Sequence, residues 1–239
     1  MKHRHLVPEL MDDPMLEMHE HRRALAGLRR VNRLCSPGRW IAQAIQNSSA
    51  KIPNRPIEIL DLGCGSGDVA IDVLRRLSPK VPCNITGWDM SPLAIEDASS
   101  QWLRHPLHES IPGRLQFERQ NIFEPGLTPR KFDIVYCCLF LHHFDDESAV
   151  TVLRNMKSLS RHLVIVDDLR RTTLGWWLAK IGCHLLSRSP VVHFDGPQSV
   201  RAAFSIDEAI QISGRAELVQ GTMTTHWPQR FLHCWDISC

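Results

Sequence analysis

The chain has 239 residues, 43% apolar and 23% charged, with a formal net charge of +2. These are the proportions of one globular domain with a sizeable core, and they exclude a disordered, collagen-like or fibrous chain. So small a net charge supplies no field to draw nucleic acid or an anionic membrane, and the most apolar stretch, Leu174 to Leu186, carries Lys180 and His184 and is too short to span a bilayer.

The first residues contain several acids and no apolar run, which argues against a secretory or transit leader and for a cytoplasmic, reducing setting. The eight cysteines are too sparse for a disulfide scaffold and are expected as free thiols, with Cys137 and Cys138 buried in a strand. His3, His5, His19 and His21 match no zinc spacing, so no metal is expected.

Residues 9–48 read as helical. Leu16, Met18, Leu25, Leu28, Val31 and Leu34 recur every three or four positions, with arginines between them on a solvated face. Ser36-Pro37-Gly38 breaks the pattern, and a second short helix is expected from Arg39 to Gln46. From Pro56 onward, apolar runs alternate with helical stretches. Strands are predicted at 57–62, 83–89, 115–119, 132–139 and 163–167. Helices are predicted from Val69 to Leu77, stopped by Pro79 and Pro82, and at 93–104 and 146–158. Such alternation implies right-handed crossovers and a parallel sheet, whose ligands bind beyond the carboxyl ends of the strands. After Asp168 come an apolar helix, a loop at His193-Phe194-Asp195-Gly196-Pro197, and a helix opened by a Ser205–Glu208 capping box. Two final strands, 216–220 and 230–235, are expected as antiparallel neighbours.

Between the first strand and the following helix lies Asp61-Leu62-Gly63-Cys64-Gly65-Ser66-Gly67-Asp68. Glycines let backbone approach a ligand closely, and the helix start offers free N–H groups to a carboxylate or phosphate. A dinucleotide loop would need glycine where Asp68 stands, and that charge would oppose a pyrophosphate. Asp89 closes the second strand, where a carboxylate can accept hydrogen bonds from a ribose diol. A ribose, no pyrophosphate and tolerance of an acid together suit a zwitterionic nucleoside such as S-adenosylmethionine.

These residues resemble the class I S-adenosylmethionine-dependent methyltransferases. Ile59-Leu60-Asp61-Leu62-Gly63-Cys64-Gly65-Ser66-Gly67-Asp68 resembles that family's first motif, Trp88-Asp89-Met90-Ser91-Pro92 its second, and Phe132 to Phe144 its fourth strand and the turn after it. The resemblance covers about residues 56–170. It implies an α/β, Rossmann-like, seven-stranded, mostly parallel sheet with an antiparallel last strand and helices on both faces. It also implies S-adenosyl-L-methionine as cofactor, with S-adenosyl-L-homocysteine as product. The cofactor residues it points to are Asp61, Gly63, Gly65, Gly67, Asp68, Asp89, Met90, Asn121, Ile122, Cys138 and Leu139. Asn121 departs from the acid usual at the adenine position.

The Asn/Asp-Pro-Pro-Tyr block of the N-methylating branches is replaced here by Cys-Cys-Leu-Phe. The ending Leu141-His142-His143-Phe144 resembles instead the branch acting on quinones, phenols and polyketides. Methyl transfer to such an acceptor is helped by a base near neutral pKa, so His143, and after it His142, are the catalytic candidates. His193, Asp195, Arg201 and Trp177 are candidates for the substrate wall. One domain, 1–239, is expected, with a helical lid at 1–50, the cofactor core at 51–168, a lid insertion at 169–204, and the last helix and two strands at 205–239. The expected partner is a small-molecule acceptor, with neither nucleic acid nor a membrane span involved. Monomer and homodimer both stay open. Two competitors remain. One is an RNA or protein methyltransferase using the arginine-rich first helix, and the other is a protein that binds the cofactor without turnover.

Overall fold

The computed structural model describes residues 1, 3–13, 15–50, 52, 55–78, 80–111, 114–124 and 132–238. Two helices come first, α1 (Met18–Cys35) and α2 (Pro37–Ser49), separated at Ser36 in the left-handed region (φ 49°) with Pro37 at the first helical position. Then follow β1 (Ile57–Leu62), α3 (Asp68–Leu77), β2 (Cys83–Asp89), α4 (Pro92–Leu103), α5 (Pro106–Ser110), β3 (Leu115–Arg119) and β4 (Phe132–Cys138). The second half holds α6 (Asp146–Leu159), β5 (Ser160–Leu169), α7 (Thr173–Leu186), α8 (Pro190–Ala202), α9 (Ile206–Arg215), β6 (Thr222–His226) and β7 (Arg230–Asp236). Single 3₁₀ turns lie at Leu10–Asp12 and Leu141–His143.

The seven strands form one sheet in the order β3-β2-β1-β4-β5-β7-β6. β1 to β5 are parallel, and β7 runs antiparallel to both β5 and β6. Strands β4 and β5 are buried on both faces, as a parallel sheet covered by helices requires. One core joins α2 and α3 to Ile57, Ile59, Ile134, Tyr136 and Ile165. The other joins α6 and α9 to Leu60, Leu62, Val135, Val164 and Val166. The alternation along β1, β4 and β5 thus puts successive side chains into opposite cores. A third, small cluster of Ala24, Cys183, Val191 and Val192 ties α1 to α7 and α8. The seven described cysteines are free, and among the described residues no helix is long and apolar enough to cross a membrane.

Five expectations need correction, and Pro79, a predicted helix stop, lies outside the described residues. The first α-helix begins at Met18 rather than at residue 9, with only a 3₁₀ turn at Leu10–Asp12 before it. The predicted loop at 193–197 is the middle of α8. Gly196 serves helix packing rather than a turn, since a Cβ there would lie 2.3 Å from Cys183 Sγ on α7. Pro197 inside that helix costs one backbone hydrogen bond, which the buried α7–α8 contact outweighs. The predicted strand at 216–220 is the C-cap of α9. Glu217 takes φ 60° and donates its N–H to Gly214 O, while Leu218 donates to Ser213 O, a Schellman cap whose buried Ala216 and Leu218 imitate strand alternation. β5 is longer than predicted, and α5 was not anticipated.

Glu217 is a non-glycine residue where left-handed backbone costs roughly 1–2 kcal/mol. Its exposed carboxylate offers only a long contact, 3.5 Å, to Lys157, whose ammonium also reaches the Glu217 carbonyl. Glu217→Gly is expected to stabilise the fold by about 0.5–1 kcal/mol, raising Tm by roughly 2 °C. A thermal melt with unchanged or lower Tm would contradict this cap.

Candidate active site

The sheet order reverses between β1 and β4, and the two loops leaving these strands form the walls of a crevice. On the β1 side, Gly63 and Cys64 both donate their N–H to Trp88 O, at 2.8 and 3.0 Å, which sets the glycine loop against the end of β2. Gly63 has φ 71°, and a Cβ there would strike the Phe140 ring at 2.3 Å. Gly65 has φ 51°, and a Cβ there would meet nothing within 4 Å, so the loop faces open space at this residue. Asp89, half-buried, accepts from Gly65 N through Oδ2 and from Ser91 N through Oδ1, each at 2.9 Å. A carboxylate has about four acceptor positions, so two stay available.

Asp61 is fully buried and paired in register with Tyr136 of β4. Its Oδ2 has no hydrogen-bond partner among the described residues. Burial, with Asp68 and Asp89 nearby, outweighs the neighbouring Tyr136 hydroxyl and pushes its carboxyl up to about 8. Asp68 opens α3 and accepts from Ser66 Oγ and Asn32 Nδ2, both at 3.0 Å, so α1 is tied to the loop. Met90 is exposed at the mouth of the crevice, and its carbonyl accepts from Arg119. Asn121 Oδ1 accepts from Phe123 N at 3.0 Å, which turns the chain there, and Ile122 is buried. On the β4 side, Leu139 has φ 54°, and its N–H donates to Asp167 O at 2.9 Å. A branched residue held there is strained by about 1–3 kcal/mol, a feature that concentrates at functional sites. Cys138 Sγ accepts from buried Arg230 at 3.1 Å.

The two histidines, the expected base candidates, follow β4, and both are paired with carboxylates. His142 is buried. Its Nδ1 lies 2.6 Å from Asp168 Oδ1, and its Nε2 lies 3.6 Å from Glu9 Oε1. Burial opposes charge on this ring, but Asp168 and Glu9 outweigh it and push the ring up to about 10. The same histidines, with Ser199, overcome burial at Glu9 and bring it down to about 2. His143 is half-buried, with Nδ1 3.2 Å from Asp12 Oδ2 and Nε2 4.0 Å from Glu9 Oε2. Burial and the charge on His142 oppose its protonation, yet Asp12 and Glu9 raise it.

Glu9 and Asp12 were absent from the expected site. They arrive on a strap, residues 4–12, laid across the end of β4. Arg4 donates to Phe144 O at 2.7 Å and Ala202 O at 2.7 Å and stacks on Phe204, and His5 N donates to Arg201 O at 3.0 Å. The strap and the histidine turn line a partly open cavity of about 280 Å³ whose walls join Leu6, Val7 and Ala202 to Glu9, Asp12, His142, His143 and Ser199.

The four expected substrate residues do not converge. Asp195 is buried and accepts from Leu10 N and Met11 N at 2.8 and 3.1 Å, bracing the strap rather than pairing with Arg201. Arg201 is exposed and bonds Gln198. His193 stacks on His184 near the α7–α8 junction. Trp177 is half exposed on α7, beside Trp176 and Lys180. The arginines of α1 are largely engaged as well: Arg22 pairs with Glu96, Arg23 with Glu20 and Arg29 with Asp97, while Arg30 bonds Leu186 O.

Residues 59–162 match the family described as "Methyltransferase domain". A fumosorinone synthetase of Cordyceps fumosorosea is 29% identical over 154 residues, which are 59% of this chain and 4% of the synthetase. The chain therefore spans a small part of the curated relative it matches. Among solved structures, magnesium protoporphyrin IX methyltransferase from Synechocystis with bound SAH is 16% identical, over 94% of this chain and 89% of that one, with a TM-score of 0.56. The plantazolicin methyltransferase BpumL in complex with SAH is 17% identical, over 90% and 94%, with a TM-score of 0.61. An O-methyltransferase family 2 protein from Planctomyces limnophilus in complex with apigenin is 15% identical, over 94% and 63%, with a TM-score of 0.63. At these identities the likeness to the solved structures is one of fold. The glycine loop and the strand-end acid both lie in the segment, residues 59–162, that matches a methyltransferase domain.

Proposed function

We propose that this chain transfers a methyl group from S-adenosylmethionine to a small, fairly apolar acceptor, by O- or C-methylation of a phenolic, quinone-like or polyketide compound. The observation that carries the cofactor assignment is the orphaned Oδ2 of Asp61, buried at the root of a glycine loop that opens onto space at Gly65. A buried carboxyl with one oxygen unpartnered is costly to ionise unless a cation or donor arrives, and the cofactor's ammonium is such a group. Asp89 would take the ribose, Gly63, Gly65 and Gly67 would admit the methionine end, and Met90, Asn121 and Ile122 would border the adenine. Cys138 and Leu139 would line the methionine side mainly through backbone. When bound, the cofactor supplies a methyl group on a sulfonium, ready for in-line attack. The chain's work is then positioning and exclusion of water. The strap, α1, α7 and α8 would form the cover of the acceptor side, and the small cavity beneath the strap, lined by apolar and by charged side chains, suits an acceptor of limited size that carries an oxygen function.

Asp61 gives a signed test. In the cofactor-free chain its carboxyl, raised from 3.8 to about 8 by burial, is protonated at neutral pH. Binding an ammonium favours the carboxylate, so affinity is expected to rise with pH between about 6 and 7.5, by up to tenfold per unit. Asp61→Asn should flatten that slope while leaving the fold intact. The same shift makes the cofactor-free fold lose stability as pH rises from about 4 towards 8, because the folded state resists ionisation. A wild-type affinity independent of pH in this window would remove Asp61 from the site. The acceptor class is tested by labelled methyl transfer into a host metabolite extract. Label in the small-molecule fraction is expected, and label found only in RNA or protein would overturn the class.

A further inference from the structure

The expectation of no metal rested on the spacing of histidines along the chain. The fold assembles a different set from residues remote in sequence. Glu9 on the strap and His142 and His143 after β4 each offer a ligand atom, and these atoms all lie within 4.8 Å of one another, the one such cluster among the described residues. We propose that Glu9, His142 and His143 bind a divalent transition-metal ion, zinc being the best match, with at least one coordination position open towards the cavity under the strap.

Three features support a metal over a simple ion-pair cluster. The first is donor chemistry. Two imidazoles and one carboxylate are the protein ligands of open zinc sites, which keep a remaining position for water or another oxygen donor. The second is distance. Ligands held at about 2.0–2.1 Å in a tetrahedron stand about 3.3 Å apart. Glu9 Oε1 to His142 Nε2 is 3.6 Å, Glu9 Oε2 to His143 Nε2 is 4.0 Å and the three ligand atoms all lie within 4.8 Å, so closing on an ion draws the set together by at most about 1.5 Å. The third is the surrounding shell. Each ring turns its Nε2 inward and has a carboxylate on its Nδ1, Asp168 at 2.6 Å for His142 and Asp12 at 3.2 Å for His143. Such carboxylate–histidine pairs orient and strengthen metal-bound imidazoles. Ser199 Oγ donates to Glu9 Oε1, and Asp195 holds the strap through Leu10 N and Met11 N, so the third ligand is anchored too.

The ion would sit in the wall of the cavity under the strap, where an oxygen donor of the acceptor could complete its shell. That last role rests on the methyl-transfer reading, whereas metal binding does not, so the test reads the metal alone. The full chain is stripped with a chelator and titrated with cobalt(II) followed by zinc(II). One cobalt per chain is expected, with visible absorption of a tetrahedral or five-coordinate N/O site, displaced by one equivalent of zinc. Glu9→Gln, which keeps the side-chain shape, and His143→Ala should each weaken binding at least tenfold. Asp168→Asn should weaken it 10–100-fold through loss of the shell around His142. His3→Ala and His5→Ala, outside the cluster, should leave it unchanged. Failure of the wild-type chain to bind one equivalent would overturn the proposal, as would undiminished binding by Glu9→Gln, or by His143→Ala if that variant folds. Loss of binding in the His3 or His5 variants with retention in the others would assign the metal to the chain terminus and overturn it equally.

Discussion

Arg230→Ala is expected to cost the fold about 3–5 kcal/mol and to lower Tm by roughly 10 °C. The reason lies at the edge of β5. Asp167 is fully buried, with Oδ1 accepting from Arg230 Nε at 2.7 Å and Oδ2 lying 2.9 Å from His226 Nε2. Arg230 is itself buried and donates a further bond to Cys138 Sγ. Removing the guanidinium would leave the Asp167 carboxylate in the core with His226 as its remaining side-chain partner, and would leave the Cys138 sulfur without its donor. The loss measures this unpaired charge more than the value of the pair, because desolvation offsets much of the attraction. The double variant Asp167→Leu with Arg230→Met, apolar on both sides, should therefore recover most of the stability. Denaturant melts of the three proteins separate these effects. A loss below about 1 kcal/mol in Arg230→Ala would show that the pair is far better solvated than its burial implies.

That buried pair also marks where sequence reading stopped. The glycine loop and Asp89 were legible because their chemistry is local. A strand end, three glycines and a helix start lie in one short stretch, and parallel pairing of β1 with β2 places Asp89 beside Gly65 without further information. The first five strands and the capping box of α9 were legible for the same reason. Arg230 and Asp167 were read only as strand residues, since nothing near either one in sequence announces that β7 inserts between β5 and β6 and brings them together. Glu9 was missed more thoroughly. Its role exists only because Arg4, His5 and the Leu10 and Met11 amides fasten the strap to residues 144–204. Gly196-Pro197 misled in the other direction, because turn chemistry and close helix packing select the same residue type. His193 and Arg201 were grouped by proximity along a supposed loop, and two turns of helix instead set them about 12 Å apart along its axis.

Asp89→Ala should weaken binding of S-adenosylmethionine and S-adenosylhomocysteine alike, by 100-fold or more. Hydrogen bonds to a charged acceptor contribute about 1.5–3 kcal/mol each, two of them would serve a ribose diol, and each 1.4 kcal/mol is a factor of ten. The carboxylate also holds Gly65 N and Ser91 N, so alanine loosens the loop that must receive the rest of the ligand. Asp89→Asn keeps one acceptor oxygen and should fall between the two. A loss through the loop alone can be told from a loss of ribose contact by changing the ligand as well as the protein. The wild-type chain should bind the 2′,3′-dideoxy analogue of S-adenosylhomocysteine about as weakly as Asp89→Ala binds the full ligand, and the variant should lose little more when given the analogue. Calorimetry on the four combinations yields the coupling directly. If the two losses simply add, Asp89 shapes the loop without touching the sugar. If Asp89→Ala binds the full ligand as tightly as wild type, the crevice between β1 and β4 is not where the nucleoside lies.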